Sequence, residues 1–328
     1  MVAGAIAFLF PGQGSQEVGM GRALALASKA AGAVWAEADA ALGFPLSRLC
    51  FEGPAEELGL TANTQPAVLT ASVAAAAALA ERGVVPELAA GHSLGEYSAN
   101  VAAGTMAFAD AVTIVRRRGQ YMQEAVPVGA GAMAAILGLD VDGVARACAQ
   151  AQEELPGRVV TPANVNAPGQ IVIAGHADAV ARAGECARGL GARRAIPLAV
   201  SAPFHCPLMK PAEERLAVDL RALATRDPRI PVVANVDAAP KRDGAAAVEA
   251  LIAQVSAPVQ WEAVVTRLVA EGARTFVELG PGTVLAGLIR KIDRSVTVMS
   301  VENEDGLAAL DALPRGANAA PQDPSRSV

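Results

Sequence analysis

The chain has 328 residues, of which 52% are hydrophobic and 18% charged, and a formal net charge of −6. That length and apolar content allow a sizeable core in one or two domains. The acidic balance argues against a general nucleic-acid binder, whose footprint is a basic surface.

Along the chain, Ala5–Phe10 reads as a buried strand ended by Pro11-Gly12. It is too short, and lacks the basic flank, for a signal peptide. Helical patterns follow over residues 19–27 and 65–82. The Ala-rich stretch 67–80 is interrupted by Thr70 and Ser72 and is too short to span a bilayer, so no membrane partner is expected. The apolar run 88–90 leads into Gly91-His92-Ser93-Leu94-Gly95, followed by helical patterns over 94–103 and 108–123. From Val128 the texture changes. Strands at 132–139, 159–166, 170–174 and 195–200 alternate with helices at 141–152 and 177–190, and Ala167-Pro168-Gly169 joins the middle strands. That order, βαββαβ, is that of a small ferredoxin-like domain. Strands at 230–236, 275–279 and 296–301 then alternate with helices at 245–255 and 284–292, which predicts parallel α/β architecture. The predicted division is an α/β core of residues 1–126 and 200–312, an inserted subdomain at 127–199, and a disordered tail at 313–328. Cys50, Cys148, Cys186 and Cys206 show no C-x-x-C spacing. They read as reduced thiols of a cytoplasmic protein, neither a disulfide framework nor a zinc site.

A strand, a G-x-S-x-G turn and a helix in sequence form a nucleophile elbow. Its glycines permit a sharp turn that holds Ser93 out at the tip, beside backbone N–H groups at a helix start where negative charge is stabilised. A serine nucleophile needs a base, and the chain has three histidines. His92 adjoins Ser93, so its side chain should point away. His176 opens a helix in the small domain and reads as a capping or surface residue. His205 lies in Ser201-Ala202-Pro203-Phe204-His205-Cys206-Pro207, where flanking prolines stiffen the loop, and it is the favoured base. Cys206 reads as a packing residue, pointing opposite to its neighbour in an extended loop. No Asp or Glu between Ser93 and His205 stands in a recognisable third-member motif, so an amide or a backbone carbonyl is expected to orient the imidazole.

On a helical wheel, Phe108, Val112, Val115 and Met122 form an apolar stripe with Arg118 at its edge. Arg116 and Arg117 read as solvated. A partly inward guanidinium needs an anionic partner, either a substrate carboxylate or a structural Asp or Glu. The loop Phe10-Pro11-Gly12-Gln13-Gly14-Ser15-Gln16 lacks the third glycine of a dinucleotide-binding loop and the Lys-Ser/Thr of a P-loop. Its glycines suit a second oxyanion donor.

Taken in order, the Phe10–Gln16 loop, Gly91-His92-Ser93-Leu94-Gly95-Glu96-Tyr97, Arg118-Gly119, Asn164-Val165-Asn166, Pro203-Phe204-His205 and Glu278-Leu279-Gly280-Pro281-Gly282 resemble the malonyl-CoA:acyl carrier protein transacylase family. The resemblance covers residues 5 to about 301. It implies an α/β-hydrolase-like parallel-sheet core with an inserted ferredoxin-like subdomain. By the same resemblance Ser93 is the acyl-accepting nucleophile, His205 its base and Arg118 the partner of the malonate carboxylate. The backbone N–H groups of Gln13 and Leu94 match the oxyanion hole, and the main chain of Gln254 matches the group that orients the histidine. Asn164 and Asn166 match polar residues lining the cleft between the subdomains. Phe204 occupies a position held by Ser in some homologues, and its ring would crowd a branched acyl α-carbon. The implied reaction is ping-pong transfer from malonyl-CoA to the phosphopantetheine thiol of acyl carrier protein by a monomer, without metal or redox cofactor. The residues leave open whether the pathway is fatty acid synthesis, polyketide synthesis or malonate decarboxylation. An esterase is disfavoured by the missing acidic triad member and the inward arginine, and an inactive carrier-binding scaffold by the intact Ser93, His205 and Arg118. For an acidic carrier, Arg116-Arg117 and Arg290-Lys291 are the basic clusters that could supply a docking patch.

Overall fold

The computed structural model describes residues 4–310. Strand β1 (Ala5–Phe10) enters a helical region made of α1 (Arg22–Ala27), α2 (Lys29–Leu42), α3 (Leu46–Glu52), α4 (Ala55–Leu58) and the long α5 (Thr61–Glu81). Strand β2 (Leu88–Gly91), α6 (Gly95–Ala103) and α7 (Phe108–Ala125) complete the first part of the core. The second unit runs β3 (Gly131–Leu137), α8 (Val141–Glu154), β4 (Val160–Ala167), β5 (Gln170–His176), α9 (Ala177–Gly189) and β6 (Arg194–Pro197). The chain returns to the core through α10 (Lys210–Arg221), β7 (Val232–Val233), β8 (Pro240–Lys241), α11 (Gly244–Ala253), α12 (Trp261–Ala270), β9 (Ala273–Leu279), α13 (Val284–Ile292), β10 (Thr297–Val301) and α14 (Glu304–Leu310).

The core sheet has the strand order β10-β9-β1-β2-β7-β8. Its pairs are parallel except for β7 with β8, which are antiparallel. β1 and β2 read as nearly continuous apolar runs because a parallel sheet between helical layers is buried on both faces. One face packs Phe8 and Phe10 against the α5 and α7 layer, and the other packs Ala7 and Leu9 against α12 and α13 around Trp261. Burying a side chain of that size contributes roughly 1.5–3 kcal/mol.

The second sheet is fully antiparallel with the order β4-β5-β3-β6. That is the ferredoxin-like topology expected from its βαββαβ sequence. Helices α8 and α9 cover one face through Ile136, Val144, Ala147, Ile173 and Val180. On the other face Met133, Ala163, Val172 and Ala174 receive Cys206 and Phe204 from the core. β4 is also tied to the core at its free edge, where Val165 N–H donates to the Val259 carbonyl and Val259 N–H to the Ala163 carbonyl, both at 2.9 Å.

Several expectations change. The first helix begins at Arg22, not at residue 19, and the strand expected over 230–236 shortens to Val232–Val233. Helices α2, α3, α4, α10, α12 and α14 had no sequence expectation. The tail expected at 313–328 lies outside the described residues. Among the described residues no helix is long and apolar enough to cross a membrane.

Candidate active site

Ser93 stands between β2 and α6 at φ 53. A serine occupies that left-handed region only where its surroundings impose it. A Cβ on Gly91 would lie 1.9 Å from the Gly95 carbonyl carbon, and one on Gly95 would lie 2.0 Å from the Phe10 carbonyl oxygen. Both glycines are therefore demanded by close backbone approach across the elbow.

Ser93 Oγ lies 2.7 Å from His205 Nε2. The other ring nitrogen, Nδ1, is 2.9 Å from the Gln254 carbonyl oxygen. A carbonyl only accepts, so Nδ1 carries the proton and Nε2 is left to accept from the serine hydroxyl. The orienting group is thus a backbone carbonyl, one of the two kinds expected from the sequence. Burial first, and then the nearby Arg118 charge, push the His205 imidazole down to about 3. It is neutral at pH 7 and available as a base.

The loop around His205 is not extended as expected. His205 has φ 59, and Phe204 N–H turns back to the Ala202 carbonyl at 3.1 Å. The tight turn between the prolines lifts the imidazole toward Ser93. It leaves the Cys206 thiol buried against the small sheet, donating to the Pro203 carbonyl at 3.1 Å. Burial pushes that thiol up to about 11, so it stays protonated.

Arg118 is 2% exposed, more deeply buried than its place at the stripe edge suggested. Nη1 donates to Gln65 Oε1 at 2.9 Å, and Nη2 donates to Gln254 Oε1 at 3.0 Å and to Ser93 Oγ at 3.1 Å. Nε is buried without a partner. Among the described residues no Asp or Glu lies within ion-pairing distance of the guanidinium. Of the two partners left open by the sequence, a structural carboxylate is absent there, and the charge faces the serine instead.

The Phe10–Gln16 loop lies over the elbow. His92 N–H donates to the Phe10 carbonyl at 3.0 Å. The Gln13 side chain donates to Thr61 Oγ1 at 3.2 Å, and Thr61 Oγ1 meets Ser201 Oγ at 2.9 Å, so two loops join at the start of α5. Ser93 N–H is taken by Asn235 Oδ1 at 2.7 Å. The Leu94 and Gln13 N–H groups have no protein partner among the described residues, which leaves them free for an oxyanion. His92 points away from the reacting oxygen, as expected, toward Asn166 Oδ1 at 2.8 Å from its Nε2 and toward the Trp261 ring. Asn166 thereby joins the subdomains, whereas Asn164 is buried where β4 meets Val259. Phe204 is half-buried and packs against both the core and the small sheet.

Three contributors, Gln65, Glu96 and Asn235, escaped the sequence reading, and Gln254 does more than was expected of it. Gln65 and Gln254 share the Arg118 guanidinium, and the Gln254 Nε2 donates to the Ser93 carbonyl at 3.0 Å and to Glu96 Oε2 at 2.7 Å. Gln254 was expected to act through its main chain alone. Glu96 and Asn235 are 1% and 0% exposed. For Gln65 the available signal was a polar side chain at the head of an otherwise Ala-rich apolar helix. Of the two basic clusters, Arg116-Arg117 is not a free patch. Arg116 lies over the Phe44 ring at 4.2 Å, and Arg117 pairs with Asp219 at 3.1 Å. Arg290 and Lys291 are exposed, and Lys291 donates to Gln170 of the small sheet at 2.7 Å. Among the described residues no cluster of three or more His, Cys, Asp or Glu side chains could hold a metal ion.

A serine on an elbow, an imidazole with its tautomer fixed, and free N–H groups beside them define an enzyme of the serine acyl-transfer class. The chain matches the acyl transferase domain family over residues 7–309. It is 50% identical over 304 residues to the malonyl CoA-acyl carrier protein transacylase of Escherichia coli strain K12, covering 92% of this chain and 97% of that one. It is 51% identical over 300 residues to the Bacillus subtilis protein of the same name, covering 92% and 94%. The crystal structure of an acyl carrier protein S-malonyltransferase from Vibrio cholerae superposes with a TM-score of 0.91 at 46% identity, covering 93% of this chain and 99% of that chain. A malonyl-transacylase in complex with its type II PKS acyl-carrier protein gives a TM-score of 0.90 at 45% identity, covering 93% and 98%. The chain belongs to this acyl transferase family, and within it to the malonyl CoA-acyl carrier protein transacylases.

Proposed function

We propose that the protein transfers the malonyl group of malonyl-CoA to the phosphopantetheine thiol of an acyl carrier protein through a malonyl-Ser93 ester. The carrying observation is that His205 Nε2 and Arg118 Nη2 both reach Ser93 Oγ, at 2.7 and 3.1 Å. In the first half-reaction Ser93 Oγ attacks the thioester carbonyl as His205 Nε2 takes its proton. The negative charge that develops on the carbonyl oxygen falls to the Leu94 and Gln13 N–H groups. The imidazolium returns its proton to the departing CoA thiolate. In the second half-reaction the carrier thiol gives its proton to His205 and attacks the ester, and the proton passes back to Ser93 Oγ.

Arg118 selects the acyl group. Bidentate pairing with the free malonyl carboxylate satisfies a buried guanidinium that otherwise has only neutral acceptors. An acetyl group leaves it so. No metal or redox cofactor has a step in this scheme, and the site is contained in one chain.

The test is intact-mass measurement after exposure to malonyl-CoA. A malonyl adduct is expected on the wild-type protein and none on Ser93→Ala. An adduct that persists in the alanine variant, or maps to Cys206, refutes the assignment.

A further inference from the structure

Ser93 is held at an unfavourable φ, and α6 secures only its carbonyl, which accepts from Glu96 N–H at 3.1 Å. Helix α6 starts two residues later, and the Ser93 N–H points away from it to the side chain of Asn235. Asn235 follows β7, the strand that pairs in parallel with β2 up to Ala90↔Val233. Beyond that point its side chain takes over the ladder. Oδ1 accepts from Ser93 N–H at 2.7 Å, and Nδ2 donates to the Gly91 carbonyl at 2.7 Å. One planar amide therefore bridges the residues on either side of His92. Its main chain is equally committed. Asn235 N–H donates to Glu96 Oε2 at 2.9 Å, and its carbonyl accepts from Gln260 N–H at 2.9 Å. Glu96 Oε2 also accepts from Gln254 Nε2, so the same carboxylate seats both Asn235 and the residue that orients His205.

We propose that Asn235 is a positioning residue for acyl transfer, closing the nucleophile elbow by hydrogen-bonding Gly91 and Ser93 at once. This rests on the reading of Ser93 as the nucleophile. The bridge needs an acceptor and a donor in one short side chain. Aspartate supplies only the acceptor while ionised, serine is too short to span both, and glutamine adds a methylene that a fully buried position cannot take. The bridge also assigns the oxyanion donors. With its N–H spent on Asn235, Ser93 contributes only its hydroxyl, and the free donors are Leu94 and Gln13.

The test is the single-turnover rate of malonyl-CoA acylation, followed by intact mass from pH 5 to 8 in wild type and Asn235→Asp. At pH 8 the introduced carboxylate faces the Gly91 carbonyl without a proton, and the rate is expected to fall about ten- to hundredfold, the effect of one unmade buried hydrogen bond. Toward pH 5 the carboxyl gains a proton, the donor to Gly91 is restored, and the deficit should shrink at least threefold. Glu96 on α6 is the titratable group in contact with Asn235; Asp237 and Lys241 beyond β7 and Arg118 on α7 act on Glu96, and His92 and Arg118 on His205. All of them are present in both proteins, so the readout is the variant-to-wild-type ratio. If Asn235→Asp does not fold, Asn235→Ser is expected to lose acylation rate at every pH, without acid recovery and with KM for malonyl-CoA within twofold. Wild-type rates in the folded variant at pH 8, or a deficit that does not change with pH and follows a lowered Tm, overturn the proposal. So does a wild-type rate in Asn235→Ser. Failure of the wild-type protein itself to be acylated instead overturns the reading of Ser93.

Discussion

Truncating Arg118 tests the proposal that its guanidinium reads the substrate's carboxylate. In the structure its guanidinium makes three hydrogen bonds, all to neutral acceptors, and no ion pair among the described residues. Arg118→Ala has two consequences. It strips the Gln65 and Gln254 amide oxygens of a buried donor, which destabilises the fold by about 1–3 kcal/mol per orphaned group, whichever acyl-CoA is bound. It also removes the partner of the malonyl carboxylate, and a hydrogen bond to a charged group is worth about 1.5–3 kcal/mol. Only the second term differs between malonyl- and acetyl-CoA. The ratio of their kcat/KM values should therefore fall about ten- to hundredfold, since each 1.4 kcal/mol is a factor of ten. The assay is acylation of Ser93 with each thioester, together with Tm to separate the first term from the second. Equal losses with both substrates would refute the reasoning and make Arg118 a purely structural arginine.

Other outcomes follow from the same geometry. The His205 imidazole is held down to about 3, mainly by burial and then by Arg118, and it must be neutral to act. The acid limb of kcat/KM for acetyl-CoA should therefore lie well below the ordinary histidine value of 6.5. The unfolded chain binds this proton first, so the histidine's contribution to stability is present above pH 6.5 and fades as the pH falls from there toward 3, which acid titration of Tm would register. Phe204→Ser should raise methylmalonyl-CoA acylation relative to malonyl-CoA, measured by intact mass, and an unchanged ratio would move the selecting ring elsewhere. Charge reversal at Arg290 and Lys291 should raise KM for an acidic carrier protein and flatten its salt dependence while sparing acylation by malonyl-CoA. An unchanged KM would place the docking surface elsewhere.

The most legible parts of the chain were those where backbone geometry restricts residue type. The elbow could be read because Gly91 and Gly95 must lack side chains, and the small domain because β3 to β6 alternate with two amphipathic helices. The helices α2 and α10 were missed although their buried residues keep a helical spacing, Ala31, Trp35 and Ala38 in one and Ala212, Leu216, Ala217 and Leu220 in the other, because half or more of each stripe is alanine, which marks a buried face weakly. Arg118 was half legible. A wheel shows that it leans inward, but the identity of its partners depends on Gln65 and Gln254, 53 and 136 positions away. Asn235 and Glu96 gave no sequence signal of their role, because each is an ordinary polar residue until three segments converge on it. The tight turn at His205 was hidden for a related reason. The two prolines predict stiffness, but the positive φ of the histidine follows only from packing Phe204 and Cys206 on the open face of the small sheet.

The charges at the site explain why the histidine can do without an acidic partner. In a Ser-His-Asp arrangement a buried carboxylate stabilises the imidazolium that forms during attack. Here a carbonyl fixes the tautomer but brings no charge, and Arg118 adds a positive one that disfavours the imidazolium. With a substrate lacking a carboxylate, the base is weak. When a carboxylate sits on Arg118, its negative charge offsets the guanidinium a few ångströms from the imidazole, and proton transfer from Ser93 becomes easier. On the proposed function, the missing anion arrives with the malonyl group. Recognition and base strength are thereby joined in one residue, and a thioester, more easily attacked than an amide, leaves the remaining demand on the histidine modest.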